Sequence, residues 1–111
     1  MAGNKKKPKD WRRSKDYNAV REELERSMGG KDNLDAITAT RIEEYMDFWV
    51  LRHQLQDDIT ARGLYVEDDR GRTMENRSVS LSIQASRQMS AIAAVLGLVI
   101  GAERKLEDDE L

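Results

Sequence analysis

Seven cations stand within the first fifteen residues: Lys5, Lys6, Lys7, Lys9, Arg12, Arg13 and Lys15, with Trp11 among them and Asp10 as the one acid. Such a run can neutralise phosphates and release their condensed counterions, so affinity for a polyanion falls steeply with salt. The lysines act as point charges, Arg12 and Arg13 can each clamp a phosphate through two N–H groups, and Trp11 can stack on a base or simply pack. About five such contacts would give a log–log salt slope near −4 to −5. Fully extended, the segment reaches at most about 50 Å, enough to follow a groove. The plainer reading is a solubilising tail.

Two acidic clusters raise the question of a metal. Asp57 and Asp58 are adjacent in a helical stretch, so their side chains diverge by about 100° and do not readily share one ion. Glu67-Asp68-Asp69 lies in a turn-like stretch but lacks the alternation and distal glutamate of a calcium loop. Both are expected to be solvated charge. His53 is the one histidine, near the face that carries Trp49 and Gln56, and reads as a surface or interface side chain. There is no cysteine, which excludes disulfides, Fe–S clusters and thiolate zinc sites. No GxxxxGK[ST] or GxGxxG phosphate loop occurs. No catalytic residue, metal site or cofactor is expected.

The net charge of −2, from 19 basic and 21 acidic residues, hides a strong asymmetry. Against the basic start, residues 16–102 hold ten basic and fifteen acidic groups, and residues 103–111 hold Arg104 and Lys105 against five acids. The chain is a basic arm, an acidic body and a more acidic tail. The acidic end, Glu107, Asp108, Asp109 and Glu110, is expected to dock a basic partner surface, to mask the basic arm when no polyanion is bound, or to remain solvated. The longest weakly polar run, residues 91–102, is shorter than the roughly 20 residues of a membrane span. The basic start is not followed by an apolar stretch, so no signal peptide or membrane contact is expected.

The elements that must carry these groups read as helices. Ser14 can cap a first helix whose stripe is Tyr17, Val20, Leu24 and Met28, with Glu22 and Arg26 placed to pair and Gly29-Gly30 to stop it. Leu34 and Ile37 allow one ambiguous turn. Thr40 and Glu43 have capping-box spacing, which sets a long helix from about residue 40 to Gly63. Its apolar residues form two lines, Ile42, Tyr45/Met46 and Trp49 beside Phe48, Leu51, Leu55 and Ile59, which implies packing on more than one neighbour. Leu64 to Met74 reads as a short β-hairpin or an extended excursion around Gly71. Asn76 or Ser78 caps a last helix with the stripe Leu81, Ala85, Met89, Ile92 and Leu96, widened by Val79, Ile83 and Ala93, and ended by Gly97.

The fold class is therefore mostly α: a central antiparallel helical hairpin, with a short excursion between its helices. The expected organisation is a flexible basic arm at 1–13, a short helix and turn at 14–33, a hairpin core and oligomerisation region at 34–101 and an acidic tail at 102–111. Tyr45, Trp49, Leu55, Ile59, Ile83, Met89, Ile92 and Leu96 are the expected core or subunit contacts. A two-helix core in so short a chain is marginal, which favours a homo-oligomer, although the first helix can also cover the hairpin within one chain.

Tyr45-x3-Trp49, the helix end Ala61-Arg62-Gly63-Leu64, the turn at Gly71, the helix start at Asn76 and the close Leu96-Gly97-Leu98 before Glu103-Arg104-Lys105-Leu106 together resemble phage terminase small subunits of the P27 type, over roughly residues 34–107. Asn76-Arg77 stands where that family usually has Asn-Pro, and Gly97-Leu98-Val99-Ile100 where it often has Gly-Leu-Thr-Pro. The resemblance implies a non-catalytic, ring-forming subunit in the host cytoplasm. It would bind double-stranded viral DNA near the packaging start and recruit and regulate the large terminase subunit, which carries the ATPase and nuclease. The rival expectation is a helical homo-oligomeric scaffold or regulatory adaptor with no DNA contact.

Overall fold

The computed structural model describes residues 9–98; Lys5, Lys6 and Lys7 of the basic arm, Glu107 to Glu110 and the rest of the tail lie outside the described residues. Three helices, α1 (Lys15–Ser27), α2 (Ala36–Arg62) and α3 (Arg77–Val95), are joined by turns and by a two-stranded antiparallel sheet, β1 (Tyr65–Glu67) and β2 (Thr73–Glu75). Single 3₁₀ turns at Trp11–Arg13 and Lys31–Asn33 precede α1 and α2.

α1 starts where the residues require it. The Ser14 hydroxyl accepts from the Tyr17 amide at 3.1 Å, satisfying an N–H that the helix itself leaves free. Its end is a Schellman turn: the Gly30 amide donates to the Glu25 carbonyl and the Gly29 amide to Arg26, with φ +102° and +98° at the two glycines. Arg26 pairs with Glu23 rather than with the expected Glu22; both spacings share one helix face, and the rotamer selects the nearer turn.

The expected start of the second helix at Thr40 is corrected. Asp35 is the cap, its carboxylate accepting from the Thr38 amide at 2.7 Å, and α2 runs 27 residues from Ala36. Thr40 is already inside it, its hydroxyl donating back to the Ala36 carbonyl at 2.8 Å. The ambiguous Leu34–Ile37 stretch divides: Leu34 packs on the core, and Ile37, in the first turn of α2, is 74% exposed.

α2 is the spine of the fold. α3 packs antiparallel along one side of it; α1 and the Trp11–Arg13 turn cover another. That placement explains the two apolar lines on a single helix. Ile42, Met46, Trp49 and Val50 from α2 are buried with Tyr17 and Leu24 from α1 and Met89 from α3. Val20, Met28, Tyr45, Phe48, Leu96 and Leu98 pack around them. Ala85, Ile92 and Ala93 are also buried on α3, and Leu55 and Ile59 are half-buried. Ile83, expected as a core or subunit contact, is 50% exposed in the single chain, because it lies beyond the stripe that faces α2.

The excursion is a true hairpin, with Tyr65 opposite Glu75, Val66 opposite Met74 and Glu67 opposite Thr73. Its turn is organised by Asp68, whose carboxylate accepts from the amides of Arg70 and Arg72 and from Arg72 Nε, each at 2.9 Å. Gly71, at φ +76°, closes the reversal.

Asn76, wholly buried, locks the base of the hairpin. Its amide donates to the Leu64 carbonyl at 2.7 Å, its Nδ2 to the Gly63 carbonyl at 2.9 Å, and its Oδ1 caps α3 by accepting from the Ser78 amide at 3.0 Å. Asp58 completes the network, accepting from Ser78 Oγ at 2.6 Å, from Asn76 Nδ2 at 3.2 Å and from Arg62 through both Nε and Nη2. The expectation that Asp57 and Asp58 are merely solvated is thereby corrected. Each accepts a long-range hydrogen bond, because a buried cap or a packed indole needs an acceptor and these carboxylates are the ones in reach.

Candidate nucleic-acid interface

The described part of the basic arm is mounted on α2 by aromatic packing. Asp10 caps the Trp11–Arg13 turn, accepting from the Arg12 amide at 3.1 Å, so the chain is already folded where the sequence suggests a mobile segment to residue 13. Trp11 meets Trp49 edge-on with ring centroids 5.9 Å apart and lies 4.5 Å from the His53 ring. His53 stacks on Trp49 at 3.9 Å, and its Nδ1 donates to the Trp49 carbonyl at 2.8 Å. The Trp11 indole N–H donates to Asp57 at 2.7 Å, giving the packed ring the acceptor its polar edge requires. Tyr17 also meets Trp49 edge-on, with ring centroids 5.8 Å apart.

Around this anchor stand the described cations. Lys9, exposed, has its Nζ 4.0 Å from the centroid of Trp11, a cation–π contact. Arg12 Nη2 is 3.0 Å from Asp47, and this hydrogen bond raises the Arg12 pKa further. Arg13, 89% exposed, has only a 3.4 Å approach to Asp10. Lys15, on the first turn of α1, is exposed and forms no ion pair among the described residues. Lys9, Arg12, Arg13 and Lys15 thus stand on or beside a turn that is fixed against Asp47, Trp49, His53 and Asp57 of α2.

A second basic group, Arg21, is tied down instead. It donates to Glu43 and, at 2.7 Å, to the Tyr17 hydroxyl. The Glu43 hydrogen bond raises the Arg21 pKa, and the same bond lowers that of Glu43. This pair joins α1 to α2 and leaves little of the guanidinium for a ligand.

Of the expected core or interface residues, Trp49, Met89 and Ile92 are buried, while Tyr45, Leu55, Ile59 and Leu96 are partly covered. Sequence reasoning missed Asp47 and Asp57 as the carboxylates that hold the arm. The available signal was Trp11 itself: an indole in so polar a segment implies an apolar dock and an acceptor. Among the described residues no cluster of three or more His, Asp or Glu side chains can hold a metal ion. No helix of the described residues is long and apolar enough to cross a membrane.

A family model described as phage terminase, small subunit, matches residues 16–110. No curated protein and no solved structure matches the chain.

Proposed function

The chain belongs to the phage terminase small-subunit family, which gives it a role in phage DNA packaging, and on that premise we propose that it binds double-stranded viral DNA through its basic N-terminal segment and brings that DNA to the large terminase subunit. The observation that carries the DNA reading is the cluster of Lys9, Arg12, Arg13 and Lys15 fixed on α2 by Trp11. The family match begins at residue 16, so this segment is a feature of the chain's own charge pattern.

In this reading Lys5, Lys6 and Lys7 extend the cluster along a groove, and contacts are made mainly to phosphates. Assembly into a homo-oligomer, a ring by analogy with the P27 type, would display many arms at once, so each weak contact raises the effective concentration for the next. Exposed Leu51 and Val95 give the hairpin apolar surface for such contacts. Glu107, Asp108, Asp109 and Glu110 would meet a basic surface of the large subunit. The family is generally non-catalytic, and the same is proposed for this chain, acting without a cofactor in the host cytoplasm.

The test is duplex binding across a salt series for the wild type and for Lys5/Lys6/Lys7→Ala. Loss of three phosphate contacts makes the log–log slope shallower by about 2.7. An unchanged slope removes the arm from the mechanism. A stable oligomer that binds no duplex at any salt favours the scaffold reading instead.

A further inference from the structure

α3 is unlike the rest of the body in carrying no aspartate or glutamate along its 19 residues. Its charges are Arg77 and Arg87, and its polar surface is serine and glutamine. Ser82, Ser86 and Ser90 recur at four-residue intervals and so lie in one row, about 6 Å apart along the axis.

That row, with Ile83 and Arg87 of α3 and Arg52 of α2, lines an open groove of about 500 Å³. A smaller groove of about 210 Å³ shares Arg52, Ser86 and Ser90 and continues toward Tyr45 and Ala93. No carboxylate lines either one.

The two guanidinium groups are uncommitted. Three and four positions from Arg52 on α2 stand Phe48, Trp49, Leu55 and Gln56; around Arg87 stand Ile83, Gln84, Ser90 and Ala91. Neither arginine forms an ion pair among the described residues, in contrast to Arg12 with Asp47, Arg41 with Glu44 and Arg62 with Asp58. Both are exposed and hold their charge where a ligand can reach it.

We infer that the Arg52–Arg87–serine groove between α2 and α3 is a second contact site for the phosphodiester backbone of duplex DNA. Phosphate oxygens accept from exactly the two donor types the groove supplies, forked guanidinium N–H pairs and hydroxyls. The regular row of hydroxyls suits a repeating anion better than a single small one. An acid-free α3, about 28 Å long, lets an extended polyanion lie along it without repulsion from its own face. The inference rests on the DNA-binding reading and adds to it a site on the hairpin, away from the basic arm.

The test uses the full chain, a 20-bp duplex and light scattering on the same samples. Arg52→Ala/Arg87→Ala should weaken duplex binding by about tenfold and make the salt slope shallower by about 1.8, the share of two phosphates. Arg52→Lys/Arg87→Lys should restore the slope, and the mass in solution should not change. An unchanged slope in the alanine variant overturns the site. So does a loss of binding that accompanies a change in mass, since the groove is then a contact between copies. A glutamate-rich peptide that binds the wild type but not the alanine variant, while duplex binding stays equal, overturns it in favour of an acidic protein partner. A wild type that binds no duplex overturns both this site and the reading beneath it. Loss in the Lys5/Lys6/Lys7→Ala variant alone overturns the groove and leaves that reading standing.

Discussion

The indole N–H of Trp11 donates to the carboxylate of Asp57 at 2.7 Å, across 46 residues of sequence. With the ring packed on Trp49 and His53, this bond decides where the basic segment starts to belong to the folded body. Cations placed by a fixed turn lose less conformational freedom on binding than the same cations on a free chain.

Trp11→Ala should therefore loosen residues 9–13 while leaving the α2–α3 packing in place. Amide exchange at Ser14, whose N–H donates to the Trp11 carbonyl, should accelerate markedly. Global stability should fall by about 1–2 kcal/mol, less than the 3–5 kcal/mol of a fully buried aromatic, because Trp11 is only half-covered. Equal acceleration across α3 would show that the turn is integral to the core.

Asp47 competes with phosphate for Arg12. Asp47→Asn should tighten duplex binding and steepen the salt slope by about 0.9, one phosphate contact, with stability changed by about 0.5 kcal/mol or less, since the pair is exposed. The measurement is a salt titration beside a thermal melt. An unaltered slope would exclude Arg12 from the contact.

Removal of the Asn76 side chain takes away a helix cap and the acceptor and donor that tie Gly63, Ser78 and Asp58 together. Asn76→Ala should cost about 2–3 kcal/mol in denaturant unfolding. Asn76→Asp keeps the capping oxygen but sets a second carboxylate beside Asp58, and should be destabilising near neutral pH with partial recovery in acid.

Acid should unfold the protein through the carboxylates that accept hydrogen bonds at a helix cap, at the hairpin base and in the hairpin turn. Arg62, then Ser78, hold Asp58 below the ordinary carboxylate range; the Thr38 amide does the same for Asp35, and the Arg72 amide for Asp68. Each is depressed in the folded state, so the unfolded chain takes up protons first as the pH drops. Their stabilisation is complete above the ordinary carboxylate pKa of about 3.9 and is lost as pH falls through it toward the folded values. Melting temperature against pH should be flatter below pH 5 for Asp58→Asn than for the wild type; parallel curves would count against this account.

Met46 is fully buried and Ile83 half-exposed. Met46→Ala should cost about 2–5 kcal/mol through the cavity it leaves. Ile83→Ala should change unfolding of the single chain by about 0.5 kcal/mol or less, and a fall in solution mass would identify it as a contact between copies.

Much of the local structure is legible from the sequence because its causes are local. Ser14 caps α1 and Gly29-Gly30 ends it; Gly63 ends α2; and the stripe from Tyr17 to Met28 meets the core along its whole length. The start of α2 was less legible because two residues, Asp35 and Thr40, had cap chemistry, and Thr40 spends its hydroxyl on the preceding turn. Asn76 and Ser78 were equally plausible caps until the tertiary fold brought Gly63, Leu64 and Asp58 to Asn76.

By itself the sequence determined three helices, a short excursion between the second and third that it left open between hairpin and extended chain, and a basic arm before an acidic body, all set by spacings of a few residues and by charge along the chain. Only the tertiary structure decided which charges are available. Asp47 occupies Arg12, Asp57 holds Trp11 and Glu43 occupies Arg21, while Arg52 and Arg87 keep no carboxylate within reach among the described residues. The reason is that ion pairs and indole bonds act over a few ångströms in space, and residues 35 or 46 positions apart meet only after α2 has packed against the turn before α1.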